Sequence, residues 1–320
     1  MLYASRSRVD GPIYATLESI RAAALRHNEP VGVHTALLYQ AGWFLQWKEG
    51  PAEAMRRIMA RVATDPRHHQ LRVVHSSRGP RLLDGPWSMG MVQSEEPPEA
   101  LGLRVMQLRD ALMKGRQYSP TSVLRRVASP ALLGGTRPVE PESYHRVLVC
   151  SAQGVDAFEL VRWLAERERK RVTHRRYAGA QDLDVATDYL DVEHHDRLLR
   201  VVAMARKGLK LPLTRAMLAD YSHVVLLLCG EPERDLALLL RVAQACAGMA
   251  RRPSAVGVGM DLCAHEALAA LARRFAIDYL PAAGQPREPA RTWEVLQPRL
   301  QAWSDPEVVG LPVEPIPSRW

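Results

Sequence analysis

Phe44-Leu45-Gln46-Trp47-Lys48-Glu49-Gly50-Pro51 is the stretch that decides the fold. Its aromatic and aliphatic side chains make residues 42–47 a β-strand, and Gly50-Pro51 ends it. Pro51 lacks an N–H, which the first turn of a helix does not need, so a helix opens there and runs to about residue 64. Upstream, residues 35–39 form a second strand, joined to the first through a hairpin-like break at Gln40-Ala41. Residues 16–27 repeat Leu17, Ile20 and Ala24 at helical spacing, with Thr16 able to cap the helix. Residues 2–4 are a very short strand ahead of it. Downstream, residues 70–76 and 87–92 are strands. The order β-α-β-β-α-β-β predicts an α+β sheet of ferredoxin-like type with two helices on one face.

Residues 101–114 form a further amphipathic helix. Residues 115–143 hold Pro120, Pro130, Pro138, Pro141 and Gly134-Gly135, the composition of a linker, with Arg125-Arg126 read as a solvated pair. From residue 144 the rhythm changes. Strands at 147–150, 198–204, 223–229, 255–260 and 278–281 alternate with helices near 157–170, 236–249 and 265–275. That alternation predicts an α/β domain with a mostly parallel sheet. Three parts are expected: 1–94, a 95–143 helix and linker, and 144–320.

The chain has 320 residues and a net charge of +8, of which residues 1–94 carry +5. The basic residues are scattered Arg without a nucleic-acid motif, so nucleic acid is not an expected partner. No apolar run is long enough to span a bilayer and no signal core opens the chain, which points to a cytoplasmic protein that does not engage a membrane. Cys150, Cys229, Cys246 and Cys263 form no C-x-x-C pair, and no metal site is expected. Glu193-His194-His195-Asp196 offers metal-capable side chains, but adjacent residues rarely converge on one ion, and an exposed turn is the reading preferred.

Five blocks carry a resemblance to a known family: Arg26-His27-Asn28, Ala36-Leu37-Leu38-Tyr39, Phe44 to Pro51, Asp65-Pro66-Arg67-His68-His69 and Trp87-Ser88-Met89. In this order and at close to this spacing they resemble a BLUF domain, a flavin-binding blue-light sensor. The resemblance implies non-covalent FAD, with FMN or another flavin as alternatives. It assigns Asn28, Arg61 and Asp65 to the pyrimidine edge of the flavin, with Ser5 and His27 as further pocket residues. It implies a photoswitch of Tyr3 and Gln46, reported by Trp87 and Met89. A tyrosine phenol can give up an electron and a proton, and a glutamine amide reverses its hydrogen-bond pattern when turned over. The chain departs from the family in having two residues before the tyrosine, Val33-His34-Thr35 for an Ile-Thr-Gly block, Lys48 at a usually apolar place, and an altered stretch around Arg81-Leu82-Leu83.

Residues 144–300 resemble the small GTPases of bacterial motility and polarity systems in the order and spacing of their elements, and Asp261 matches the guanine-recognition aspartate. The phosphate loop is degenerate. Ser151-Ala152-Gln153-Gly154-Val155-Asp156-Ala157-Phe158 has Ala157 at the lysine position and Phe158 at the hydroxyl position, so GTP binding is not expected. An unrelated flavodoxin-like domain is the alternative. The reading is a blue-light receptor without enzymatic activity. It signals to a protein partner through residues 95–320, and a homo-oligomer is left open. The competing reading is a light-insensitive scaffold.

Overall fold

The computed structural model describes residues 1–116, 118–129, 144–180, 185–194 and 197–301. β1 (Leu2–Ser7), α1 (Ile13–His27), β2 (His34–Gln40), β3 (Trp43–Glu49), α2 (Ala52–Ala63), β4 (His68–His75) and β5 (Trp87–Val92) follow in the expected order. They form a mixed sheet β5-β2-β3-β1-β4. β1 is longer than its apolar run suggests because it lies between β3 and β4, antiparallel to both, so its polar second half also finds backbone partners. β2 and β3 are joined by a two-residue turn, Ala41-Gly42, with φ of 47° and 73°. Positive φ at both positions suits the twist of a tight hairpin, and Gly42 takes it without a Cβ clash. α1 starts behind Pro12, so Thr16 lies inside the helix and does not cap it. Glu49 accepts from the backbone N–H of Leu82 and Leu83, each at 2.8 Å, and anchors the loop that leads into β5.

Side chains alternate across a sheet, so each strand serves two faces. On one face, Leu2, Ala4, Ala36, Leu38, Leu45 and Trp47 pack under α3 (Pro98–Met113) and α4 (Pro120–Ala128). α4 corrects the expectation of a plain linker. Pro120 occupies the first helical turn and Ser119 Oγ accepts from Ser122 N at 3.2 Å, so this is a capped helix start. Arg125 is likewise not solvated. It pairs with Asp220 at 2.5 Å, and the Arg126 guanidinium lies 4.3 Å from the Tyr118 ring centre. Gly134-Gly135 and the prolines at 130, 138 and 141 lie outside the described residues.

The second half contains β6 (Tyr144–Ser151), α5 (Asp156–Glu168), β7 (Thr173–Gly179), β8 (Val185–His194), β9 (Arg197–Met204), α6 (Pro212–Leu218), β10 (His223–Leu227), α7 (Pro232–Ala245), β11 (Ser254–Gly259), α8 (Leu262–Arg274), β12 (Tyr279–Ala283) and α9 (Pro289–Gln301). β12-β11-β10-β6-β9 is parallel throughout. These strands are buried on both faces, between the cluster of Leu148, Leu226, Leu239 and Leu268 and that of Val149, Val161, Val225 and Trp293. β8 and β7, which the sequence analysis does not place, extend this sheet antiparallel. β7 then pairs antiparallel with β5, from Ser88 opposite Gly179 to Val92 opposite Arg175. The two sheets expected from the sequence are one, ordered β12-β11-β10-β6-β9-β8-β7-β5-β2-β3-β1-β4. His194 ends β8, and His195-Asp196 lies outside the described residues. Among the described residues, no helix is long and apolar enough to cross a membrane.

Candidate functional site

The face of the N-terminal sheet opposite α3 and α4 carries two separate apolar clusters. Leu17 and Ala24 of α1 pack on Leu37, Phe44, Trp87 and Met89. Ala54, Met55 and Ile58 of α2 pack on Val33. Neither takes in Tyr3, although Tyr3 is fully buried. Register places a cross-strand row on this face: Tyr3 opposite Gln46, Gln46 opposite Leu37, Leu37 opposite Met89. A second row runs Lys48, Thr35, Trp87. Directly opposed side chains sit roughly 5 Å apart at Cβ, so each row is a line of touching groups.

The polar atoms on this face are under-satisfied. Tyr3 Oη, Ser5 Oγ, His68 Nδ1 and Trp87 Nε1 are buried and have no hydrogen-bond partner. An unpaired buried donor or acceptor costs on the order of 1–3 kcal/mol, and these four share one face of one sheet. The Gln46 amide also makes no hydrogen bond to another described residue, though Gln46 is buried. Burial, with the nearby Asp65 charge adding to it, raises the Tyr3 phenol well above its ordinary value. Tyr3 is therefore a neutral phenol with an unused O–H. An isoalloxazine, with an apolar body and an edge of carbonyls and ring N–H, fits these residues.

Of the expected site residues, the structure brings Tyr3, Ser5, Gln46, Trp87 and Met89 onto one face. Asn28 is buried at the C-terminal end of α1, where its backbone N–H donates to Ala24 O at 2.7 Å and its Nδ2 donates to Thr35 Oγ1 at 3.4 Å. Two residues fall elsewhere. His27 is exposed and its ring accepts from Arg26 Nε at 3.2 Å. Arg61 is exposed on the outer side of α2 and does not hold Asp65. That task falls to Arg67, whose Nε donates to Asp65 at 2.9 Å and whose Nη1 reaches Ser19 on α1 at 3.5 Å. The Arg67 hydrogen bonds hold the Asp65 carboxyl below its usual range.

The sequence reading quotes Thr35, Lys48 and Arg67 but gives them no place in the pocket. The signal for Lys48 was present: two residues after Gln46 on a strand, it has to share Gln46's face.

At the far end of the sheet, the loop after β6 is closed on itself. Ser151 Oγ accepts from Ala157 N at 2.8 Å, and Arg206 Nη1 donates to Ala152 O at 3.0 Å. Asp156 and Glu159 stand in the first turn of α5. Asp261 caps α8 by accepting from Cys263 N at 2.9 Å and Ala264 N at 3.3 Å. Among the described residues, no group of three or more His, Cys, Asp or Glu is placed to hold a metal ion.

Residues 1–90 match the family model for BLUF, sensors of blue-light using FAD. Photoactivated adenylate cyclase subunit beta of Euglena longa is 30% identical over 114 residues, and that of Euglena gracilis 29% over 114 residues. Each match covers 34% of this chain and 13% of the relative, so the chain spans a small part of the proteins it resembles. Among solved structures, the dark state of the BLUF protein BlrB is 33% identical over 22% of this chain and 52% of its own, with a TM-score of 0.21. A bacterial light-regulated adenylyl cyclase is 16% identical over 41% of this chain and 40% of its own, with a TM-score of 0.27. The family model stops at residue 90 and does not reach the stretch likened to small GTPases. Its span runs from β1 into β5 and takes in the row of Tyr3, Gln46 and Met89, and this N-terminal portion of the chain is a BLUF domain.

Proposed function

We propose that residues 1–94 hold FAD without a covalent bond and respond to blue light, and that β5 passes the response to residues 144–320, which bind a protein partner. The observation that carries this reading is the row Tyr3–Gln46–Leu37–Met89–Ala178, which runs from the unpaired phenol across four strand pairings into β7. A bound flavin supplies blue-light absorption and an excited state that accepts an electron. Tyr3 keeps its proton at physiological pH and is a donor of both electron and proton. Gln46 has no hydrogen-bond partner among the described residues to hold its amide in one orientation, so turning the amide over breaks no described bond. Asn28 faces the pyrimidine edge, with Ser5 and Trp87 as further donors; the same groups would serve FMN. Arg61 and His27 would join only by moving, and Asp65 acts through Arg67 and the field at Tyr3.

β5 is gripped from two sides. Besides pairing with β7, Ser88 Oγ accepts from Leu213 N of α6 at 3.1 Å, and Asp84 just ahead of β5 pairs with Arg215. A displacement of β5 is therefore felt by two elements of the second half. Such a response needs two arrangements whose balance light changes. The relatives' name is that of a cyclase, but the match takes in 114 residues, 13% of each relative. The closed loop after β6 and the acidic first turn of α5 support a module that binds proteins and does not transfer phosphoryl groups.

The test is the visible spectrum of the full chain with FAD, before and after blue light. A bound-flavin spectrum that shifts to the red and recovers in the dark is expected, and Gln46→Leu should abolish the shift. A protein that stays colourless with FAD leaves the light-insensitive scaffold. Light-dependent formation of a cyclic nucleotide from ATP or GTP would overturn the non-enzymatic reading.

A further inference from the structure

Lys48 leaves β3 on the same face as Gln46 and is 3% exposed. Its Nζ has one described partner, Thr35 Oγ1, at 3.3 Å. That oxygen also accepts from Asn28 Nδ2 at 3.4 Å, so the ammonium and the Asn28 amide converge on one point. An ammonium has three N–H donors, and two of these have no described acceptor. Among the described residues no carboxylate pairs with it; burial alone brings the amine down from 10.5 to about 7. The amino terminus of Met1 donates to the backbone O of Lys48 at 3.0 Å, and its own charge faces Glu49. Thr35 Oγ1 is thus the one described acceptor for a buried cation with spare donors, and Thr35 in turn stands opposite Trp87 on β5.

We propose that Lys48 is a flavin-edge residue whose positive charge makes the pocket prefer the reduced, negatively charged ring over the oxidised, neutral one. This rests on the flavin-binding reading above. Charge beside the ring nitrogens and carbonyls is a lever by which a protein tunes a flavin. In a dry site a unit charge at contact distance is worth at least about tenfold in that preference.

The test uses the flavin-free full chain, titrated with oxidised FAD and, under argon, with dithionite-reduced FAD. Wild type, Lys48→Met and Lys48→Gln are compared. Met removes charge and donors at similar length, and Gln keeps N–H donors without charge. Both variants should lose the preference for reduced FAD about tenfold or more, while Gln retains more of the affinity for oxidised FAD than Met. If either variant keeps the wild-type ratio of the two affinities, the charge is not what sets it and the proposal falls alone. If wild type binds neither form, the proposal and the flavin-binding reading fall together.

Discussion

Replacing Lys48 by Met should stabilise the flavin-free protein, and most of all at neutral and acidic pH. The site is buried and the ammonium meets a single described hydroxyl, so the folded state resists the charge that the unfolded chain carries freely. A fall from 10.5 to about 7 corresponds, at about 1.4 kcal/mol per pH unit, to about 5 kcal/mol. Relaxation around the amine and water entry reduce this, so a gain of about 2–5 kcal/mol is expected at pH 6. The sign follows from proton counting. Between about pH 7 and 10.5 the unfolded state binds the proton that the folded state has released, so wild-type stability rises with pH across that window. The advantage of the variant should therefore be full below pH 7 and shrink as pH climbs toward 10.5. Met1's amino group is also lowered by burial, Glu49 pulls it upward, and His75 is held down to about 4, but these groups are present in both proteins. Urea unfolding followed by tryptophan fluorescence at several pH values gives the difference directly. Equal stability at pH 6, or a gap that does not change with pH, would refute the argument.

At the junction between β5 and β7, Gly90→Ala puts a Cβ 2.6 Å from Leu38 Cδ2 and 2.7 Å from the Tyr177 ring, and overpacking of this kind should cost about 1–3 kcal/mol in denaturant unfolding. Ser88→Ala leaves the buried Leu213 N–H without its acceptor and should cost about 1–3 kcal/mol, with an unchanged melting curve counting against the grip described for β5. Arg67→Met removes the partner that depresses Asp65. That stabilisation is present above the ordinary carboxylate value of 3.8 and is lost as pH falls through the lower folded value. The pair is partly exposed, so the loss should stay under about 1 kcal/mol at pH 6 and vanish in strong acid.

The N-terminal half was legible where chemistry is local. β5 is legible with its observed bounds because Trp87, Met89 and Met91 alternate with Ser88 and Gly90 between turns, and the Gly50-Pro51 break marks the start of α2. β7 was missed because Thr173–Gly179 contains three consecutive polar residues, His174, Arg175 and Arg176, and reads as a solvated stretch. In the fold, Arg175 lies 4.3 Å from the Tyr189 ring centre, a long-range stacking that no local pattern announces. α4 and α6 each begin with a proline, which reads as a break unless the preceding residue is recognised as a helix start. In the site, Tyr3 and Gln46 were readable as types in a spacing. Which cation meets Asp65 was not, because Arg61 and Arg67 flank it alike and only the fold turns one outward.

The pairing of β5 with β7 also limits what the sensor can do with a signal. Within the N-terminal five strands β5 is an outer edge, and within the twelve it is interior, hydrogen-bonded to β2 on one side and β7 on the other. A slip of one residue would turn Trp87 and Met89 to the opposite face and expose Ser88 and Gly90 to the core, undoing both clusters at once. Register is thus locked by two neighbours, and the motion left to the strand is a change of tilt or twist shared along the sheet. Cut free after residue 94, the same strand would present a bare row of backbone donors and acceptors flanked by Trp87, Met89 and Met91, an edge that would recruit another chain.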